Sequence, residues 1–337
     1  MAELTVAAGL ARGLVELAVS KGARRSYLLA QAGIDALDLD DQDNRIGFAR
    51  YVALMRAGQA LCNDPALALH YGETNDMAQI SVVGLIANAS SNVVDALAQL
   101  NRYGRLVTEF DGGTDRFTMM RDAAGVWTVD NRNNPNDFPE LTESTFARMI
   151  CGPRHFGVTQ LAKTVQVTHA APLYRDEYQR VFGAPVTFGS DRNAILLDEK
   201  WLTHPVQLQP RYAFGVLSER AEVLLAELET SKSMRGKVER LLTPVLHTGK
   251  ANMAALAGQM GMSRQTLFRR LKAEGATFEM VLDDLRRRLA LDYLGARKVS
   301  VNEAAYLVGF SDPAAFSRAF KRWTGKSPRI WRDAPRD

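Results

Sequence analysis

The chain has 337 residues, 46% of them hydrophobic and 24% charged, with a net charge of +4, a length that favours two domains and a balance that excludes a disordered tail. No apolar run reaches the ~18 residues of a membrane span, the first residues lack the basic and apolar regions of a signal peptide, and two cysteines, Cys62 and Cys151, fit neither a disulfide framework nor a zinc site. A cytoplasmic protein with no membrane contact, no cofactor and no metal is expected.

In chain order, the N-terminal part reads as mostly helical, with 3.6-residue periodicity over 10–19, 45–62 and 93–103. Residues 116–121 and 125–131 follow as a hairpin, 141–151 as a helix ended by Gly152-Pro153, 164–170 as a strand, 174–182 as a helix, and 185–188 and 194–197 as strands. The predicted class is α+β, helical first and mixed afterwards. A polar cluster, Asp130-Asn131-Arg132-Asn133-Asn134 with Asp137 and Glu140, lies between a strand and a helix. It reads either as a solvated turn or as donors and acceptors for a small zwitterion at the helix N-terminus. His169, on a predicted strand, reads as a core residue or as a further effector contact. Arg132, Asp137, Glu140 and His169 are the effector-binding candidates.

Catalysis finds little support. The five histidines are scattered, Cys151 and His155 are separated by a helix-breaking Gly152-Pro153, and no glycine loop of phosphate-binding type occurs. No enzyme is expected. A helix over 211–230 carries an apolar stripe, Leu217, Ala221, Leu224 and Leu228, which can pack on its own domain, on the C-terminal domain or on a second subunit. A homodimer through the N-terminal domain is expected.

Charge changes sharply near residue 231. Residues 1–231 hold 21 Lys and Arg against 28 Asp and Glu, whereas 232–337 hold 21 against 10, the asymmetry of a chain in which one domain faces a polyanion. From Met253, apolar Met253, Leu256, Ala257 and Met260 give a short helix, Gly261 a turn, and Ser263 the cap of a second helix. In that second helix Leu267 and Leu271 share one face, leaving Arg264, Gln265, Phe268, Arg269 and Lys272 outward. This is a helix-turn-helix, whose second helix fits the major groove of double-stranded DNA. The device recurs about 48 residues on: Val301 to Val308, Gly309, a Ser311-Asp312 cap, then Phe316, Phe320 and Trp323 inward with Ser317, Arg318, Lys321 and Arg322 outward. An amphipathic helix over 277–294, about 27 Å long at 1.5 Å per residue, connects the two. Its Arg286-Arg287-Arg288 run reads as a solvated face or as phosphate contacts.

These residues resemble a known family. Ala304-Ala305, Gly309-Phe310-Ser311-Asp312, Phe316 to Lys321, Gly325, Ser327-Pro328 and Trp331-Arg332 are similar to the C-terminal signature of AraC-type transcription regulators, over residues ~235–332. Pro313 and Ala314 depart from it, standing where many members place polar side chains, so base readout is expected to lean on the first motif. Further upstream, Tyr27-Leu28-Leu29, Leu67 to Gly72, Thr168 to Pro172 and Phe182 to Gly189 resemble the effector domain of an AraC-type subgroup that includes regulators of ornithine and related amino-acid or amine catabolism. The cupin-like sugar domain of the arabinose regulator is not matched. The resemblance implies a small-molecule effector, an amino acid or amine, and RNA polymerase as a partner, in a regulator of a catabolic or stress operon. It divides the chain into an effector and dimerisation domain over 1–228, a linker over 229–234 and a DNA-reading domain over 235–332, with a catalytic sensor fused to a DNA reader, or a nucleoid-type DNA binder, as the alternatives.

Overall fold

The computed structural model describes residues 4–112, 115–206, 211–249, 251–295 and 299–333, and the chain divides into two compact units, Met1–Leu225 and Ala226–Asp337. In the first, β1 (Thr5–Ala7) precedes α1 (Ala8–Ser20), α2 (Arg25–Ala32), β2 (Arg45–Gly47), α3 (Phe48–Cys62), α4 (Leu67–Thr74), α5 (Met77–Ile80), α6 (Val82–Asn88) and α7 (Val93–Val107). The helix expected over 45–62 thus begins only at Phe48. Arg45 to Gly47 pair antiparallel with β1, and the Arg45 guanidinium fixes that pairing by donating to the Thr5 hydroxyl at 2.9 Å, to the Thr5 carbonyl at 3.0 Å and to the Leu106 carbonyl.

Five strands then form one open sheet in the order β3-β4-β7-β5-β6: β3 (Phe117–Asp122), β4 (Gly125–Asp130), β5 (Ala162–Gln166), β6 (Val186–Thr187) and β7 (Asn193–Leu197). Between them run α8 (Pro139–Cys151) and α9 (Arg175–Phe182). Leu69 of α4, Phe146, Ala147 and Ile150 of α8, Tyr178, Val181 and Phe182 of α9, and Val165, Ile195 and Leu197 of the sheet make one buried core. The strand expected to reach residue 170 stops at Gln166. The Asn193 side chain accepts the Thr168 amide at 2.9 Å, which replaces the next ladder bond and turns the chain away.

α10 (Arg211–Lys232) contains the division between the units, and α11 (Met234–Leu242) follows after Ser233. The segment 229–234, expected as a linker, is therefore helical except at Ser233. The hydroxyl of Ser233 accepts the Gly236 amide, and Glu274 accepts the amides of Met234 and Arg235 at 2.6 and 3.0 Å, so both capping groups satisfy orphan donors of α11. The second unit continues as α12 (Met253–Gln259), α13 (Arg264–Ala273), α14 (Phe278–Gly295), α15 (Val301–Leu307), α16 (Pro313–Thr324) and α17 (Pro328–Asp333). All are helices around a single core that includes Val238, Leu256, Leu267, Leu271, Val281, Leu285, Phe316 and Phe320. Among the described residues, no helix is long and apolar enough to cross a membrane.

Candidate nucleic-acid interface and effector domain

Each helix-turn-helix is built by a turn glycine and a capping side chain. Gly261 has φ +63°, and the Ser263 hydroxyl accepts the Thr266 amide at 3.1 Å to start α13. Gly309 has φ +81°, and a Cβ there would lie 2.2 Å from the Leu246 carbonyl oxygen, so the tight turn between α15 and α16 requires glycine on two counts. A capping box, Ser300 with Glu303, starts α15. Asp312 accepts the amides of Ala314 and Ala315 at 2.9 and 3.0 Å to start α16, whose first residue is Pro313.

On α13, Leu267 and Leu271 are buried while Arg264, Gln265, Phe268, Arg269, Arg270 and Lys272 are exposed. None of these four cations forms an ion pair with a described residue, so they stand ready to donate to a polyanion. On α16, Phe316 and Phe320 are buried, Trp323 is partly buried, and Ser317 is half-buried. The cations here are less free. Arg318 lies 3.9 Å from Asp312, and Arg322 donates to Asp283 of α14 at 3.2 Å, beside the Trp323 indole N–H on the same carboxylate at 2.8 Å. Lys321 is exposed and has no ion pair with a described residue.

The three arginines of α14 do different things. Arg286 donates through Nε to the Val308 carbonyl at 3.1 Å and through Nη2 to the Gly309 carbonyl at 3.2 Å, with its guanidinium 4.7 Å from the Phe310 ring centre. Arg288 donates to Glu239 at 2.9 Å, a carboxylate of α11 that also accepts from Arg235 at 3.1 Å. Arg287 is exposed and forms no ion pair with a described residue.

In the first unit, the polar turn is bound into the fold. Asp130 is fully buried and held by two guanidinium groups, Arg132 at 3.0 Å and Arg116 at 3.3 Å, which also donate to Thr142 and to Thr145 of α8. Burial raises and the two arginines lower the Asp130 carboxyl, with the arginines prevailing; burial lowers Arg132 to about 10. Arg132 therefore ties β4 to α8. Asp137 is exposed. Glu140 and His169 instead meet around α8 with a residue that the sequence did not single out. Glu143 is 2% exposed, and its Oε1 accepts from Tyr174 at 2.8 Å and from Tyr178 at 2.5 Å. The Tyr178 oxygen is also 3.1 Å from His169 Nε2, while His169 Nδ1 is 2.9 Å from the Ala170 carbonyl. Nothing marked Glu143 in advance, because Thr142, Glu143, Ser144 and Thr145 look like a solvated helix face yet are all buried.

Two comparisons with family models match this architecture. One, described as the arabinose-binding N-terminal domain of the AraC transcription regulator, matches residues 22–206. The other, a helix-turn-helix domain, matches residues 256–334. The chain belongs to the AraC family of transcription regulators. The first description corrects the expectation that the arabinose regulator's sugar domain is not matched. Similar chains include the ornithine utilization regulator of Pseudomonas aeruginosa, 28% identical, covering 96% of this chain and 95% of that one. The regulator VirS of Mycobacterium tuberculosis is 26% identical, covering 86% and 85%. The crystal structure of the transcriptional regulator CdpR from Pseudomonas aeruginosa covers 92% of this chain and 96% of that one at 22% identity and a TM-score of 0.38. As an AraC-type protein the chain is a DNA-binding transcription regulator with an effector-binding N-terminal domain. Its Cys151 is buried, donates its thiol to the Val181 carbonyl at 3.4 Å and is pushed up to about 11 by burial, while His155 is exposed. A protonated, inward thiol is a packing group and not a nucleophile.

Proposed function

We propose that this regulator reads an operator with α13 as its specific helix and α16 as a more tolerant one, as a cytoplasmic homodimer joined through residues 1–228 that controls a catabolic operon together with RNA polymerase. The observation that carries the reading is the exposed, unpaired set on α13. Arg264, Gln265 and Arg269 project from a helix that needs none of them for its own packing, and Arg and Gln can pair bidentately with guanine and adenine edges. On α16, Pro313 and Ala314 offer no base donor and Arg322 is engaged with Asp283, so Ser317, Arg318 and Lys321 remain for contacts there. Phe268, 50% exposed, can lie against a thymine methyl group.

The dimer is supported by α10. Of the predicted stripe, Ala221 and Leu228 are buried within the chain itself, and the apolar side chains left exposed are Tyr212, Val216 and Val223. The effector is an amino acid or amine, in keeping with the ornithine regulator among the relatives, and no turnover accompanies its binding. The test is a footprint of the full-length chain on a selected operator. One half should be protected with strict base requirements and the other with broad tolerance, and a protected site that tolerates every substitution would overturn the assignment of α13.

A further inference from the structure

Two carboxylates of α8 are left with buried oxygens that no described residue satisfies. Glu140 Oε2 and Glu143 Oε2 have no hydrogen-bond partner, although Glu143 is 2% exposed. An unpaired buried carboxylate oxygen is costly, the more so when charged, and the two lie one helical turn apart, where like charges oppose each other. Burial first, and Glu140 second, push Glu143 up to about 7 against the lowering effect of the tyrosine hydroxyls. Among the described residues, no cation forms an ion pair with either carboxylate.

The surroundings suit one. Tyr174 and Tyr178 stack with ring centres 5.9 Å apart, Tyr178 meets Phe188 at 5.0 Å, and His169 meets Phe188 at 5.7 Å. Aromatic faces beside carboxylates attract ammonium groups, through the ring quadrupole as well as through charge. Tyr174 also lines an open cavity of about 440 Å³ together with Arg56, Gln59, Ala60, Asn63 and Pro65, so the ring that donates to Glu143 on one side borders a volume able to hold the rest of a small ligand. The charged group lining that cavity is Arg56, which attracts a carboxylate.

We propose that Glu140 and Glu143, bordered by the rings of Tyr174, Tyr178, Phe188 and His169, receive the primary ammonium group of the effector, whose remainder extends past Tyr174 towards Arg56. The class is a small ω-ammonium carboxylate, since a diamine would set its second ammonium against Arg56. The ammonium donates to Glu143 Oε2 and Glu140 Oε2, and Tyr174 and Tyr178 continue to hold Glu143 Oε1. Arg132 and Asp137 take no part. This assignment rests on the reading of the N-terminal unit as an effector domain.

The experiment uses the full-length chain with three probes of matched length, 5-aminopentanoate, 1,4-diaminobutane and pentanoate, in thermal-shift and calorimetric titrations. 5-Aminopentanoate should raise the melting temperature in a dose-dependent way, 1,4-diaminobutane should do so more weakly because its second ammonium faces Arg56, and pentanoate should not. Glu143→Gln and Glu140→Gln should each weaken the amines at least tenfold while each variant keeps a cooperative melting transition. Absence of a shift with both amines, or equal affinity in Glu143→Gln, overturns the site. A thermal shift by amines that depends on Glu143 but leaves operator affinity unchanged upholds the site and overturns the effector reading, so the two can fail separately.

Discussion

Arg286→Met separates a structural arginine from a phosphate contact. The substitution keeps an unbranched stem over Phe310 but removes two donors, at 3.1 and 3.2 Å from the Val308 and Gly309 carbonyls, and the cation 4.7 Å from the ring. Hydrogen bonds from a charged donor contribute roughly 1.5–3 kcal/mol each, and an exposed cation–π contact about 0.5–1. The lower ends of these ranges sum to about 3.5 kcal/mol, but Arg286 is only half-buried and both carbonyls can recover water, which reduces the net loss to about 2 kcal/mol. Since ~1.4 kcal/mol is tenfold in an equilibrium constant, backbone amides of α15 and α16 should exchange with solvent about 30-fold faster in the full-length variant. Amides of α8, in the other unit, should be unchanged. Exchange within threefold of the parent, together with a DNA salt dependence shallower by about one unit, would refute the structural role and return Arg286 to the phosphate backbone.

Arg269→Ala should weaken the selected operator by about 1–3 kcal/mol and random duplex far less, measured by anisotropy at one salt concentration; equal losses would make Arg269 a phosphate contact. Lys321→Ala should lower the slope of log affinity against log salt by about one without altering sequence preference; an unchanged slope would assign Lys321 to solvent. Gly309→Ala should lower the stability of the reader unit by more than 1 kcal/mol, because φ is +81° and the new Cβ meets Leu246; urea denaturation monitored by circular dichroism reads the effect. Glu143→Gln has a pH signature of definite sign. A carboxyl raised from 4.5 to about 7 in the folded chain stabilises most below pH 4.5, and that stability is lost as pH rises through 7. The ligand-free variant should therefore gain up to about 3 kcal/mol over the parent at pH 8 and almost nothing at pH 4.5, and a pH-independent difference would show that Glu143 is ionised throughout.

The reader unit was largely legible because its signals are local. Glycine at the turns, Ser and Asp at the caps and apolar residues at helical spacing specify both helix-turn-helix motifs within a few residues of where they stand. What these patterns could not show was the use of a surface-looking charge by the fold: Arg286, Arg288 and Arg322 find partners 22 to 49 residues away. In the N-terminal unit the element types were readable, but the ends of strands were set by distant side chains, Asn193 at Thr168 and Arg45 at Thr5. The polar turn misled in an instructive way. Its Asp130 and Arg132 satisfy each other beneath α8, whereas the unsatisfied acids sit on α8 itself, where Glu143 passes for a solvent-facing residue until Tyr174 and Tyr178 close over it.

The central claim, a sequence-specific regulator, is tested most directly by selecting duplexes from a random pool with the full-length chain and comparing the affinity of the enriched site with that of the starting pool at the same salt. The account predicts a preference of at least about 10³-fold, with the strict bases confined to the half contacted by α13. A preference under tenfold, with affinity following only ionic strength, would contradict it and leave a charge-driven DNA binder in its place.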